Sequence, residues 1–285
     1  MGDVVRGAWQ ENYVDQLTPW SPCDEWAKSR APQLDWLVEG AILKGTVAIL
    51  AGDGGLGKSL LLQQLITAAA LGEPWLGMRT QKVRSLAVFC EDDMDELWRR
   101  QERINEHYNC TMNDLEGVLI DSRPGRDCVL MNFRQWGGDG RETRMFDQLR
   151  DRAYEHGAQI VVLDTVADVF SGNEVDRNQP RTFIRALRRL ALGIQGTVIL
   201  TQHPSNEGMS SGSGRSGSTG WHNSVRSRLY LTKPKGSDDQ ETDERLLKTM
   251  KNNHGKFGGK MSVTWKNGVF VLTEEVNGAA PYWRD

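Results

Sequence analysis

The sequence predicts an α/β fold: a mainly parallel sheet with helices on both faces and an antiparallel β extension at the C-terminal end. As far as about residue 201, short apolar runs typical of buried parallel strands alternate with helix-forming segments. A glycine-rich loop joins the first of these runs to the first helix. From Val225 onward apolar and polar residues alternate, and Asn267-Gly268 marks a hairpin turn. We therefore expect one α/β domain in residues 36–285.

The glycine-rich loop, residues 52–59, reads Gly-Asp-Gly-Gly-Leu-Gly-Lys-Ser and fits the pattern G-x-x-x-x-G-K-[ST]. The apolar run 46–51 precedes it, and a strong helix former follows it. In such a loop the backbone N–H groups and the helix N-terminus face phosphates, the lysine reaches the β- and γ-phosphates, and the serine hydroxyl is a ligand of Mg²⁺. The predicted nucleotide-binding residues are Gly52, Asp53, Gly54, Gly55, Leu56, Gly57, Lys58, Ser59 and Leu60.

The composition restricts the partners and the cellular compartment that we expect for this domain. The formal net charge is −3, so any nucleic-acid contact needs a local patch or charges gathered by oligomerisation. The four cysteines form no C-x-x-C pair, the N-terminus lacks the apolar core of a signal peptide, and no apolar run is long enough to span a membrane. We expect a cytoplasmic protein without a membrane partner. We expect the Trp- and Pro-rich residues 1–35 to form an irregular arm that packs on its own domain or on a neighbouring subunit.

Three carboxylates follow the predicted strand 85–90. Glu91, Asp92 and Asp93 come at the sheet edge where α/β proteins bind ligands. Either aspartate can cap the helix that begins at Met94. Glu91 precedes the cap and ends the strand directly, so a carboxylate there can polarise the water that attacks a γ-phosphate.

Two later strands also end in polar residues. The apolar run 160–163 leads into Asp164, about a hundred residues after the phosphate loop, which is typical of the aspartate that holds the Mg²⁺ shell. The run 197–201 leads into Gln202 and His203. Either can lie beside a γ-phosphate and report its presence, or can be a strand-end polar residue satisfied by its own loop.

Two further segments carry basic residues. Residues 208–220 are rich in Gly and Ser, which is typical of a flexible surface linker or of a loop ordered by ligand, with Arg215, backbone amides and hydroxyls facing the phosphates of a polymer. The predicted helix 180–192 carries arginines that we expect to form mainly a solvated face, with one of the last two placed to meet a neighbour. These arginines are Arg181, Arg185, Arg188 and Arg189.

The motifs, in this order, resemble those of the RecA-like ATPases of the RepA type, the hexameric replicative helicases of plasmids and phages. The likeness runs from about Val38 to Leu272. It rests on Gly52 to Ser59, Glu91-Asp92, Leu163-Asp164-Thr165, Thr201-Gln202-His203, the Ser/Gly loop, Arg226 and Lys251-Asn252-Asn253-His254-Gly255. The resemblance implies a RecA-like core in which Lys58 takes part in catalysis, Glu91 is the catalytic base, Asp164 the Mg²⁺-associated acid and His203 the γ-phosphate sensor.

The resemblance also implies residues that act between subunits. Arg226 would be an arginine finger in the next subunit's site, with Arg228 as the competing candidate because strand alternation puts both on one face. Lys251 would be a second trans-acting cation. The loop residues Arg215, Ser213 and Ser216 would line a central channel and grip single-stranded DNA.

We therefore expect Mg²⁺-dependent ATP hydrolysis coupled to movement on single-stranded DNA by a homo-oligomeric, hexameric ring. Two alternatives stay open. One is a RecA-like recombinase or mediator that forms filaments, and the other is a regulatory ATPase that does not respond to DNA.

Overall fold

The computed structural model describes Trp26 and residues 30–133, 139–205, 218–234, 242–255 and 259–273.

The strands of this part of the chain, numbered along the sequence, are β1 (Trp36–Val38), β2 (Ile42–Leu43), β3 (Thr46–Gly52), β4 (Arg84–Phe89), β5 (Val118–Ser122), β6 (Met131–Phe133), β7 (Gly140–Glu142), β8 (Ala158–Asp164), β9 (Thr197–Gln202), β10 (Ser227–Thr232), β11 (Glu244–Asn252), β12 (Lys260–Lys266) and β13 (Val269–Leu272). The main sheet has nine strands in the order β13-β12-β11-β10-β3-β9-β8-β4-β5. The strands from β10 to β5 run parallel, and β11, β12 and β13 continue the sheet antiparallel.

The helices are α1 (Lys58–Leu71), α2 (Met94–Tyr108), α3 (Arg144–His156), α4 (Val166–Val169), α5 (Asn178–Gly193) and α6 (Thr219–Ser224), with a 3₁₀ turn at Met112–Leu115. α1 and α2 pack on one face of the sheet together with side chains of β11, β12 and β13. The remaining four helices cover the other face. The predicted fold class is confirmed. Among the described ranges, no helix combines the length and apolarity needed to cross a membrane.

The pairing of the strand predicted at residues 225–231 differs from the expectation. The alternating pattern suggested an antiparallel strand, but β10 lies parallel to β3 and is antiparallel only to β11. Both faces of β10 are covered, because residues 227–231 are all buried, and Ser227 donates to the Ala41 carbonyl at 2.6 Å. The antiparallel extension therefore begins one strand later than the pattern indicated.

A two-stranded sheet precedes α3. β6 pairs with β7, which lies further along the chain, and α3 begins at Arg144. Thr143 sets this start, because its hydroxyl accepts the N–H of Phe146 at 3.2 Å as an N-cap.

Helix α1 is the most enclosed helix described, and two adjacent glutamines fix it. Gln63 donates to the Leu97 carbonyl at 2.8 Å and to Gln101 at 3.0 Å, which holds α1 against α2. Gln64 makes two hydrogen bonds with the backbone of Phe270, accepting its N–H at 2.9 Å and donating to its carbonyl at 3.0 Å. The C-terminal hairpin is thereby bonded to the helix that follows the glycine-rich loop.

Candidate nucleotide site

The glycine-rich loop connects β3 to α1 and turns at glycines in the left-handed region. Gly55 has φ 69° and Gly57 has φ 94°. At Gly57 the chain also passes Phe270, because a Cβ there would lie 2.5 Å from the phenylalanine ring. Any side chain at this position would therefore be strained by backbone angle and by contact alike. This places the backbone N–H groups at the start of α1 around the position of a phosphate.

Lys58 is held inside this loop, and its side chain is nearly buried. Its ammonium donates to the carbonyls of Gly52 and Asp53, both at 2.9 Å. Burial lowers the pKa of Lys58, whereas the negative charges of Asp164, Glu91 and Asp53 act in the opposite direction. An ammonium has three N–H donors, so one remains for a phosphate oxygen.

Asp164 ends β8 next to Phe89 of β4 and is 2% exposed. It accepts a hydrogen bond from the hydroxyl of Thr201, and the Ser59 hydroxyl lies near enough to lower its pKa. Burial raises its pKa, and the two hydroxyls and the nearby Lys58 oppose that effect. The predicted acid and the predicted loop serine therefore lie close to each other.

The three carboxylates after β4 have separate surroundings. Asp93 caps α2, accepting the N–H of Glu96 at 2.8 Å. Asp92 accepts two hydrogen bonds from Arg100, at 2.5 and 3.0 Å. Glu91 faces the nucleotide site instead: partial burial and the charges of Asp164 and Asp168 raise its pKa, and His203 and Lys58 oppose this. A raised pKa suits a carboxylate that must take up a proton.

The end of β9 carries two polar residues with different exposure. Gln202 lies beside Ala51 of β3, is 2% exposed, and has no described hydrogen-bond partner for its amide oxygen or nitrogen. His203 is exposed, and its Cε1 would lie 4.0 Å from a Cβ built on Gly54. The imidazole is therefore next to the phosphate loop, as expected for a residue that contacts a γ-phosphate.

The candidate trans-acting residues cluster at the opposite end of the central strands. The N–H of Arg226 bonds the carbonyl of Val47, near the start of β3, at 3.4 Å. Arg228 is 1% exposed, whereas Arg226 is half-buried and reaches the surface. Lys251 donates to the carbonyl of His222 at 2.8 Å. Burial and the two arginines lower its pKa.

Three predicted DNA-binding residues, Arg215, Ser213 and Ser216, lie outside the described residues. In turn, the structure gives contacts to three residues for which the sequence predicted no role, although Thr201 belongs to one of the motifs of the resemblance. Thr201 bonds Asp164, Asp168 influences the pKa of Glu91, and Phe270 packs on Gly57. A Thr-x-x-Asp capping pattern at Thr165 marks Asp168, and Thr201 directly precedes the strand-end pair. No local signal marks Phe270.

Fold and site together define a P-loop protein that binds and hydrolyses nucleotide: a parallel sheet whose first strand, glycine loop, helix and buried strand-end aspartate meet at one edge. A family model described as an AAA domain matches residues 16–209, more than half of the chain. The protein belongs to this family of P-loop ATPases. The match includes the phosphate loop, Glu91, Asp164 and His203, and it ends before Arg226. Among curated proteins, none matches the chain significantly.

Proposed function

We propose that the protein is a ring-forming, Mg²⁺-dependent ATPase that moves along single-stranded DNA, a replicative helicase of the RepA type. The observation that carries this proposal is the separation of Arg226 from the phosphate loop. Arg226 is bonded to Val47, five residues before Gly52 along β3. At about 3.3 Å per strand residue, that is about 16 Å. The arginine is too far from its own P-loop to touch a bound γ-phosphate, so it is suited to a neighbour's site.

Within one chain the residues divide the work of hydrolysis. Lys58 and the loop N–H groups hold the phosphates in line with the attacking water. Glu91 accepts the proton of that water as the new oxygen–phosphorus bond forms and the bond between Pγ and the β-phosphate oxygen breaks, which releases ADP and phosphate. His203, beside Gly54, contacts the γ-phosphate and senses its departure.

The neighbouring side chains of Ser59 and Asp164 suit a magnesium ion, since both offer the hard oxygen ligands that it prefers. In the described ranges no three His, Cys, Asp or Glu side chains form a metal site of their own. The ion would therefore share its coordination with phosphates and water, as is usual for Mg²⁺. When bound, it neutralises charge that develops on the β- and γ-phosphate oxygens.

Trans action is assigned to Arg226 rather than to Arg228. Arg228 is enclosed between β3 and β11, whereas Arg226 precedes the strand and lines an open cavity. Lys251 lies beside both arginines and has two donors engaged with carbonyls of α6. This position at the proposed subunit boundary supports Lys251 as the second trans-acting cation.

The test is steady-state ATP hydrolysis with Mg²⁺, with and without single-stranded DNA. We expect DNA to stimulate turnover, and a strand-displacement assay then to show unwinding. Stimulation without unwinding, with filaments under the microscope, would favour the recombinase alternative. Turnover that DNA leaves unchanged at low salt and high protein concentration would reject the DNA-dependent function and leave the ATPase in place.

A further inference from the structure

A cavity of about 540 Å³ lies between α5 and α6 and is lined by an unusual concentration of positive charge. Five arginines face it: Arg177, Arg181, Arg185, Arg188 and Arg226. The other lining residues are Ile184, Thr219, Gly220, Asn223 and Ser224, so no carboxylate belongs to the lining. The chain as a whole carries a net charge of −3, so this patch departs from the average surface.

Four of the five arginines form a row along α5. Arg177, Arg181, Arg185 and Arg188 are separated by four, four and three residues, which keeps them on one side of the helix. With a rise of 1.5 Å per residue the row is about 16 Å long, with a charge roughly every 6 Å. Like charges at this spacing destabilise a helix by about 0.2–0.5 kcal/mol per pair unless something neutralises them.

None of the four forms an ion pair with a residue that the structure describes, whereas their neighbour Arg189 donates to Glu142 at 2.6 Å. In the nearby carboxylate of Asp176, one oxygen, Oδ1, accepts the N–H groups of both Asn178 and Gln179, at 2.6 and 3.0 Å. All four side chains are exposed, as predicted for a solvated face. The face is also a row of positive charges without a paired carboxylate among the described residues, and it lies beside α6.

The opposite wall is held firmly. Ser218 donates its hydroxyl to the carbonyl of Asp176 at 2.6 Å, and a Cβ at Gly220 would lie 2.7 Å from the carbonyl of Arg177. Trp221 is fully buried against Phe170 and Phe183. The groove is thus built on rigid elements, as binding sites generally require.

We propose that this groove binds the sugar–phosphate backbone of a single nucleic-acid strand, with successive phosphates along the arginine row. A linear row of guanidinium groups suits the successive phosphates of a linear polyanion. A site for one isolated anion would instead place its donors around a single point. Arginine also pairs with phosphate through two parallel hydrogen bonds. The inference deepens the proposed function and rests on it, and it names contact residues other than Arg215, Ser213 and Ser216.

The test measures the affinity of the full-length protein for fluorescein-labelled oligo(dT), over a salt series from about 50 to about 200 mM. Each phosphate contact on a single strand contributes about 0.7 to the slope of log K against log salt. R181Q/R185Q should therefore reduce the slope by about 1.4 and weaken binding about 25-fold at about 0.1 M salt. R181K/R185K should keep most of the slope. R189Q removes the same charge from a paired arginine on the same helix and should leave both quantities unchanged.

If all variants bound oligo(dT) with wild-type affinity and with equal salt slopes, the proposal that the groove binds the strand would be wrong, and the proposed function would remain. A loss as large in R189Q as in R181Q/R185Q would also overturn it, because the effect would then be general electrostatics. A change of molecular mass by light scattering in R181Q/R185Q would overturn it too, because the arginine row itself, and not only Arg226 at the same cavity, would then form the subunit contact. A wild-type protein that binds no oligo(dT) would reject both proposals together. If R181Q/R185Q does not fold, R188Q alone tests the proposal, and it should reduce the salt slope by about 0.7.

Discussion

At the scale of single residues, neighbouring carboxylates have different roles because different groups reach them first. Asp93 bonds the free N–H groups of a helix start, and Asp92 is held by Arg100. Glu91 is left to face Asp164 and Lys58. Sequence position shows all three at a strand end, but only the packing of α2 decides which one is left for the proposed catalytic role.

Replacing Glu91 separates binding from hydrolysis. Glu91→Gln should keep nucleotide affinity and lower turnover by about 10²–10⁴-fold, because a general base is lost. Partial burial raises the pKa of Glu91 above its ordinary 4.5, and the base acts only as carboxylate. Wild-type turnover should therefore rise with pH through a midpoint above that value, and the variant should lose this acid limb. Asp93→Ala is the control: it should cost about 1 kcal/mol of stability with turnover retained. An acid limb that persists in Glu91→Gln would contradict the assignment.

Lys58 gives the second prediction at this scale. Lys58→Ala should lower turnover by about 10²–10³-fold or more, since a preorganised donor to the phosphates disappears. Lys44, whose ammonium lies 3.7 Å from the exposed Asp35, provides a matched control, and Lys44→Ala should hydrolyse ATP normally. Normal turnover in Lys58→Ala would remove the phosphate-loop assignment.

At the scale of elements, α1 joins three parts of the fold. Its start carries the phosphate loop, Gln63 bonds α2, and Gln64 bonds the hairpin at Phe270. Because Phe270 also packs on Gly57, the hairpin supports the turn that shapes the loop.

The two glutamines allow a paired experiment. Gln63→Leu and Gln64→Leu should each lower the free energy of unfolding by about 1–3 kcal/mol for every backbone group left unsatisfied. Only Gln64→Leu should also weaken nucleotide binding, because it frees the strand that positions Phe270 against Gly57. Chemical denaturation and titration with a fluorescent nucleotide measure the two effects. Equal nucleotide affinity in both variants would show that the hairpin has no influence on the loop.

How far the sequence predicted these elements depends on how local each signal is. The P-loop, Asp164 and the capping role of an aspartate before α2 follow from spacing within a few residues, and the structure places them as expected. Phe270 meets Gln64 across 206 positions, and no periodicity marks such a contact. The sequence shows the arginines of the row, but whether carboxylates lie near them depends on which helix packs beside α5. The parallel direction of β10 likewise depends on its neighbour β3.

At the scale of the whole molecule, the P-loop and Arg226 lie at opposite ends of the central strands of one sheet. Arg226→Ala should therefore bind ATP yet hydrolyse it about 10³-fold or more slowly, and mixing it with Glu91→Ala subunits should restore activity at mixed interfaces. Mixing Arg226→Ala with the double variant E91A/R226A is the control and should restore none. If the measured mass shows that mixed assemblies form but ATP hydrolysis does not recover, this result would count against trans action.

The parallel pairing of β10 with β3 has a consequence for direction. With Arg226 as the proposed finger, the finger and the nucleotide site lie at unlike ends of the same strands, so the proposed assembly would join its copies head to tail and not through a two-fold contact of like surfaces. Every copy would then point the same way, and the two sides of the assembly would differ. A nucleic-acid strand also has unlike 5′ and 3′ ends. The sense in which a strand passes through the assembly would thus originate in the register of two neighbouring strands of a single subunit.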